Sequence, residues 1–362
     1  METPFIKIHE ETMQRNIKKM NDLARNQGVS LRPHIKTHKI PEFAKRQIES
    51  GAAGITVAKV AEAEVMAENG INDIFIAYPL VTDTKIKRAL QLSKHCQISV
   101  GVDSLYGAEK VSQLAQAANQ VMNVKLEVDV GLKRTGMKYG QAVELSRKMN
   151  QLSHINITGI YTFKGAIFEG TPTKDLERAG REEGELMNKL ALALNNEGIN
   201  IQEVSVGSTP TVQSVSGSPG IHEVRPGTYI FYDRMQEAFG VCTWEDCAAS
   251  VVVTVVSAPS DDLLVVDGGS KTFATDIQPN TPPLYMKGFG YIKNHPDAIL
   301  ERMTEEHGMI NITPGHNVQI GDQLEIIPNH ICSTVNLHNE VYLQTKEGDY
   351  QKKSVMARGR LQ

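Results

Sequence analysis

The sequence predicts an α/β chain in which a (β/α)8 TIM barrel precedes a smaller, mostly β domain. Three observations carry the prediction. From residue 30 to about 232, short apolar segments of strand length alternate with amphipathic helical patterns. Eight such strands occur in about 200 residues, the span of one barrel. Beyond about residue 240 the alternation stops, and β-branched runs divided by turn residues replace it. A doubly wound open sheet is the competing arrangement for the first part.

The expected strands are 30–36, 54–58, 73–79, 97–103, 123–131, 155–163, 201–208 and 222–230. Segments 41–49, 60–69, 82–94, 106–118, 141–151 and 173–197 carry apolar residues at three- and four-residue spacing and read as helices. The connection 208–221 is rich in Ser, Pro and Gly, so its helix is weak or missing. In the second domain, 248–258, 263–266, 318–320, 323–327 and 340–343 read as strands, and residues 1–15 as a further strand able to join them. The expected domains are therefore 16–240 for the barrel, and 241–362 with 1–15 for the β domain.

Composition narrows the function. The chain has 362 residues, 40% hydrophobic and 22% charged, with net charge −4. Neither nucleic acid nor a membrane surface is expected as partner. No apolar run approaches the ~18 residues of a membrane span. The start, Met1-Glu2-Thr3-Pro4-Phe5, lacks the basic and apolar segments of a signal peptide. Cys96, Cys242, Cys247 and Cys332 show no paired spacing, which points to a reducing cytoplasm.

The chemistry starts in Ser30-Leu31-Arg32-Pro33-His34-Ile35-Lys36-Thr37-His38-Lys39. On an extended strand, Arg32, His34 and Lys36 share one face. Cations there suit an anionic ligand, and a lysine among other cations has a lowered pKa, which suits an amine nucleophile. A basic edge strand at the surface is the bland alternative. Other strand ends supply Tyr78, Asp103 and the loop Asp129-Val130-Gly131-Leu132-Lys133-Arg134-Thr135-Gly136, where two glycines bracket Arg134. After strands seven and eight, Gly207-Ser208-Thr209 and Pro226-Gly227-Thr228 offer backbone N–H groups and hydroxyls for a phosphate. An amine that condenses with a phosphorylated carbonyl compound fits this set, and pyridoxal phosphate is such a compound. In the β domain, His330 and Cys332 at i and i+2 share one face of an extended segment, where imidazole and thiolate can bind zinc. Thr304-Glu305-Glu306-His307-Gly308 adds acid and imidazole, or ends a helix at Gly308.

Arg-Pro-His-Ile-Lys-Thr-His-Lys, Val-Gly-Ser-Thr-Pro-Thr, Arg-Pro-Gly-Thr-Tyr-Ile-Phe-Tyr-Asp, Glu-Glu-His-Gly and Pro-Asn-His-Ile-Cys follow one another in this chain. In that order they resemble the D-threonine aldolase and D-serine dehydratase group, alanine-racemase-like, fold-type III pyridoxal phosphate enzymes. The resemblance runs from Thr3 to about Leu343. It implies a barrel like the alanine racemase N-terminal domain plus a β domain, in a homodimer. It makes Lys36 the Schiff-base lysine and Arg134 the contact of the cofactor's phenolic oxygen. Ser208, Thr209, Gly227 and Thr228 would hold the phosphate. Tyr161 falls among the cofactor-binding positions, and Arg225 or Tyr232 would serve the pyridine nitrogen. His330 and Cys332 match the metal pair, for zinc or alternatively manganese. His-x-Cys marks the dehydratase branch, whereas the aldolase branch commonly carries His-x-Asp.

One departure stands out. Many relatives follow the tyrosine of strand six with a Gly-His pair; here Gly165 is followed by Ala166. Loss of that histidine weakens the aldolase reading. The implied activity is a lyase reaction on D-3-hydroxy amino acids, with D-serine, D-threonine, D-allo-threonine and D-3-hydroxyaspartate as candidates. Two alternatives stand beside it. A racemase would need a second base, for which Tyr285 and Tyr291 are present. A non-catalytic pyridoxal phosphate carrier would have the barrel alone.

Overall fold

The structure, a computed structural model, describes all residues from Met1 to Gln362. It divides into two compact units that interleave along the chain. The barrel unit is Lys19–Lys36, Pro41–Gly227 and Gly359–Gln362; the β unit is Met1–Lys18, Thr37–Ile40 and Thr228–Arg358. The sequence reading puts the change at residue 240, where the periodicity changes. In the structure it falls at Gly227, because the segment that follows bonds into the β unit. Ala248 N–H donates to Phe231 O at 2.7 Å and Met235 N–H to Asn329 O at 3.2 Å.

Within the barrel unit the main sheet is parallel. Its order is Ser30–Leu31, Glu223–Val224, Glu203–Val206, Ile155–Tyr161, Met122–Asp129, Gln97–Val102, Asp73–Pro79 and Ile55–Val57. The last strand returns to the first: Ala53 N–H donates to Leu31 O at 2.9 Å, Thr56 N–H to Pro33 O at 2.8 Å, and His34 bridges to Thr56. The sheet therefore closes, leaving no edge. Its strands are apolar runs because both faces are covered.

The first strand is shorter than 30–36. Pro33 has no N–H for the ladder, and Lys36 N–H donates to His34 Nδ1 at 3.3 Å, which curls Ile35–Thr37 into a 3-10 turn. The eighth strand is cut in the same way at Pro226, and Thr228–Ile230 is again a 3-10 turn. The long helix Leu176–Asn196 turns Ala179, Met187, Leu190 and Leu194 into the core. Val212–Ser216 is the short helix of the seventh connection. The two meet at glycines: a Cβ on Gly180 would stand 2.0 Å from Ser214 Oγ.

In the β unit one sheet runs Ile299–Met303, Gly308–Asn311, Leu263–Val266, Ala249–Ser260, Phe5–His9, Glu340–Gln344 and Tyr350–Ser354. Gln323–Pro328 pairs with Ala249–Ser260 and with Gly290–Ile292. Phe5–His9 is thus a strand of this unit, as its sequence suggests. Residues 10–15 are not: they open the helix Glu10–Gln27. Glu10 and Glu11 suit its N-terminus, and Met13, Ile17, Met20 and Ala24 form its buried stripe. Residues 318–320 are not a strand either. Gln319 N–H bonds Asp322 Oδ2 at 2.7 Å, which makes that segment a turn before Gln323–Pro328. No helix is long and apolar enough to cross a membrane.

Barrel closure leaves almost no slack where strands six and seven meet. A Cβ on Gly159 would lie 2.2 Å from Glu203 O, whereas nothing lies within 4 Å of one on Gly140. Gly159→Ala is expected to lower stability by about 1–3 kcal/mol in urea denaturation. Gly140→Ala is expected to change it by under about 0.5 kcal/mol. Equal losses would contradict the closure described.

Candidate active site

At the C-terminal ends of the barrel strands, Lys36 and Arg134 come to one aromatic ring. Lys36 Nζ lies 5.2 Å from the centroid of Phe163, and Arg134 Cζ lies 5.2 Å from the same centroid. Lys36 is half-buried and Arg134 exposed. Phe163 was not among the residues the sequence singled out; its only signal is its place two residues beyond Tyr161, which ends strand six. The Arg134 loop is shaped by aspartates from two strand ends. Asp129 Oδ1 accepts the N–H groups of Gly131 at 2.9 Å and Lys133 at 3.0 Å, and Asp103 Oδ2 accepts that of Gly136 at 3.3 Å. Gly131 and Gly136 both sit at positive φ, +133° and +107°, which the tight loop requires.

Tyr161 lies inside the barrel, 2% exposed, edge-on to Phe75. Its hydroxyl has room because Gly101 lacks a side chain: a Cβ there would stand 2.1 Å from the oxygen. Burial, then the neighbouring Glu127 carboxylate, pushes the Tyr161 pKa well up. Burial also raises that of Glu127, whose Oε1 accepts Thr135 Oγ1 at 2.7 Å. Arg225 is packed beside them, with Cζ 5.2 Å from the Tyr161 ring centroid. It donates to Ser205 Oγ and to Thr162 O. The structure therefore brings Tyr161 and Arg225 together. Tyr232 belongs to the β unit, where it is buried at φ +50° and burial pushes its pKa up.

The Ser208 loop differs from expectation. Its early N–H groups are already bonded within the barrel unit. Gly207, at φ +83°, donates to Glu183 Oε1 at 3.0 Å, and Ser208 N–H donates to Thr211 Oγ1 at 3.3 Å. Ser208 Oγ lies 2.9 Å from the same Thr211 Oγ1. Ser208 and Thr209 are both buried, and Gly227 half-buried. What the loop offers is thus its hydroxyls more than free backbone donors. Thr228 opens the 3-10 turn Thr228–Ile230 of the β unit.

Arg32 also departs from the basic-face reading. It is buried and donates to Glu223 and to both oxygens of Asp73. Glu223 is shared with Lys125, which also pairs with Glu203. Buried cations need such partners. The Arg32 charge is therefore structural, whereas Lys36 of that expected face stands by Phe163.

In the β unit, His330 has the extended backbone expected of it, with φ −137°, but it caps the helix Ile331–Val335, so Cys332 lies in a helical turn. The two side chains still interact, and His330 titrates well above an ordinary histidine; burial opposes this, and the Cys332 and Asp276 side chains favour the cation. Asp276 Oδ2 lies 2.6 Å from His330 Nδ1 and accepts Ser333 Oγ at 3.0 Å. A carboxylate at Nδ1 is the arrangement that would turn Nε2 toward a metal, were one bound. Cys332 Sγ lies 3.1 Å from Thr37 Oγ1 and 3.4 Å from Thr228 Oγ1. These donors fit a soft divalent ion. No cluster of three or more His, Cys, Asp or Glu side chains is arranged for one. The segment 304–308 supplies no such ligand and ends no helix. It turns between strands Ile299–Met303 and Gly308–Asn311, with Glu305 and Glu306 paired to Lys271.

A closed parallel barrel with a lysine past its first strand, joined in sequence to a β unit, defines an alanine-racemase-like architecture. The chain belongs to the alanine racemase N-terminal domain family, which matches residues 8–235. A putative serine dehydratase domain matches residues 248–344. The D-threo-3-hydroxyaspartate dehydratase of Delftia sp. (strain HT23) is 30% identical over 92% of this chain and 92% of its own. Its solved structure superposes with a TM-score of 0.90, covering 98% of this chain and 97% of that one. A cysteine-to-alanine mutant of that dehydratase, described as the metal-free form, superposes equally well at 29% identity, covering 98% and 97%. The D-threonine aldolase of an Arthrobacter species is 29% identical over 94% of this chain and 88% of its own.

The Arg32 assignment is testable. Arg32→Ala leaves Glu223 buried with one cation fewer and is expected to cost about 3–5 kcal/mol of stability in chemical denaturation. Arg134→Ala, at an exposed loop position, is expected to stay within about 0.5 kcal/mol of the parent. A small effect of Arg32→Ala would contradict the structural role.

Proposed function

We propose that the chain is a pyridoxal-phosphate- and divalent-metal-dependent lyase acting on D-3-hydroxy amino acids, with dehydration as its main reaction. The observation that carries this reading is the convergence of Lys36 and Arg134 on Phe163 at the strand ends of an alanine-racemase-like barrel. The names of the relatives, dehydratases and aldolases of such amino acids, support it.

In this reading Lys36 binds the cofactor covalently. Arg134 holds its phenolic oxygen, and Ser208, Thr209, Gly227 and Thr228 hold its phosphate. Tyr161 would lie among the cofactor-binding residues, and Arg225 or Tyr232 would serve the pyridine nitrogen. His330 and Cys332 bind zinc or, alternatively, manganese, with Asp276 orienting the imidazole. When bound, pyridoxal phosphate supplies an electron sink for charge at Cα, and the metal supplies a Lewis acid for the β-hydroxyl. The chain's own part is proton transfer: the Lys36 amine removes the α proton of a D-amino acid. Loss of the β-hydroxyl as water leaves an enamine, which tautomerises to an imine, and a water molecule hydrolyses that imine to a keto acid and ammonia. Deprotonation of that hydroxyl would instead cleave Cα–Cβ and give glycine and an aldehyde. Ala166, where relatives carry an imidazole, and the His-x-Cys pair favour the first outcome.

The same reading assigns cofactor binding to residues 16–240 and metal binding to 241–362 with 1–15. It takes the enzyme as a cytoplasmic homodimer, consistent with four free cysteines and the family likeness. A racemase would need a second base. Neither candidate tyrosine favours it: Tyr291 stacks on Trp244 at 3.8 Å between centroids, and Tyr285 is largely exposed.

The test is product identification after incubating the reconstituted protein with D- and L-serine, D- and L-threonine and D-3-hydroxyaspartate. Keto acid from the D-forms alone, lost on chelation, is the expected result. Glycine plus aldehyde would move the assignment to aldolase, and accumulation of the opposite enantiomer alone would refute the lyase. Asp276→Asn is expected to weaken metal binding by ~10–100-fold in a competition titration. Unchanged metal affinity would remove Asp276 from the site.

A further inference from the structure

We infer that Glu183 is a positioning residue for the cofactor phosphate, setting through Thr211 which way the Ser208 hydroxyl donates. The inference rests on the reading above, in which Ser208 contacts that phosphate. Glu183 lies on the helix Leu176–Asn196, fully buried, beneath the loop after strand seven. Its Oε1 accepts the Gly207 N–H at 3.0 Å, and its Oε2 lies 3.5 Å from Thr211 Oγ1. Thr211 Oγ1 in turn accepts the Ser208 N–H at 3.3 Å and shares one hydrogen with Ser208 Oγ across 2.9 Å. The result is an unbroken line of polar atoms from a buried carboxyl group to Ser208.

Hydrogen counting gives the line two states. An ionised carboxylate can only accept. Thr211 then donates to Glu183, Ser208 donates to Thr211, and Ser208 Oγ has only lone pairs left, the wrong polarity for a phosphate. A protonated Glu183 donates to Thr211 Oγ1. Thr211 now donates to Ser208 Oγ, and the Ser208 hydrogen is released to a phosphate oxygen. In both states Oε1 still accepts from Gly207, so the loop backbone keeps its anchor.

The surroundings permit both states near neutrality. Burial pushes the Glu183 pKa up to about 7, against the pull of the Gly207 N–H, Lys164, Arg225 and Thr211. Lys164 follows strand six and is held by Glu182, the helical neighbour of Glu183, and by Ala179 O. Arg225 follows strand eight and is held by Ser205 and Thr162. Neither cation is hydrogen-bonded to Glu183. A bound phosphate adds negative charge and favours the protonated form further, so cofactor binding takes up a proton. Affinity therefore falls as pH rises through the Glu183 pKa.

The test titrates apoprotein with pyridoxal 5'-phosphate from pH 6 to 9, following absorbance, for the parent, E183Q, E183A and S208A. Circular dichroism checks that each variant folds. Glutamine reproduces the protonated state, accepting from Gly207 and donating to Thr211. The parent is expected to lose affinity relative to E183Q by up to ~10-fold per pH unit above the transition. The ratio removes the titrations of Lys36 and of the phosphate itself, which both proteins share. E183A is expected to bind weakly throughout, and pyridoxal without its phosphate to show no difference between parent and E183Q. Parallel pH profiles for parent and E183Q, with S208A weakened, would overturn the relay and leave the phosphate site standing. Unchanged pyridoxal 5'-phosphate affinity in S208A would overturn the phosphate site and the relay with it.

Discussion

Glu223 is the charge on which the barrel unit depends. It is fully buried, and its carboxylate is held in common by Arg32, Lys125 and Ser205. Those partners come from strands one, five and seven, while Asp73 on strand three and Glu203 on strand seven hold the far sides of the two cations. The cations hold the Glu223 carboxyl down to about 2, against the opposing effect of burial. A group placed in this way has no stable alternative without its partners. It fixes the register in which the first strand meets the eighth, and so fixes where the chain stands when it reaches Lys36.

The influence of that charge reaches the strand ends through hydrogen bonds. Ser205 Oγ donates to Glu223 Oε1 at 2.6 Å and accepts from Arg225. Arg225 is thereby held beside Tyr161 with its guanidinium partly occupied. Arg225 and Tyr161 are thus the upper end of a polar column that begins among the buried ion pairs. The β unit has its own column: Asp233 accepts the Ile331 and Gln236 N–H groups, and Asp276 holds His330.

Much of this was legible in the sequence where the signal was local. Buried parallel strands read as apolar runs, and most helices show their stripe, so the barrel and the β unit are visible without coordinates. Lys36, Ser208 and the His-x-Cys pair stand out by residue type at strand ends. The failures have physical causes. Arg32 looked like a ligand-binding cation because its partners lie far along the chain, at Asp73 and Glu223. Glu183 and Asp276 carried no local sign for the same reason: Glu183 is a single acid in an amphipathic helix, and Asp276 meets His330 only through folding. The helix Glu10–Gln27 is masked in the sequence although its stripe is plain, because the apolar alternation of Phe5–His9 runs into it without a break. Strand ends were overrun at Pro33 and Pro226, where the missing N–H stops the ladder.

The central claim is that the geometry of strand one delivers a single lysine to the cofactor. Borohydride reduction of the pyridoxal-phosphate-loaded protein, followed by peptide mass mapping, tests it directly. The account predicts the phosphopyridoxyl label on Lys36 and its loss in Lys36→Ala. Stoichiometric label on another lysine, such as Lys133 or Lys164, or no covalent label in a protein that retains cofactor, would contradict it.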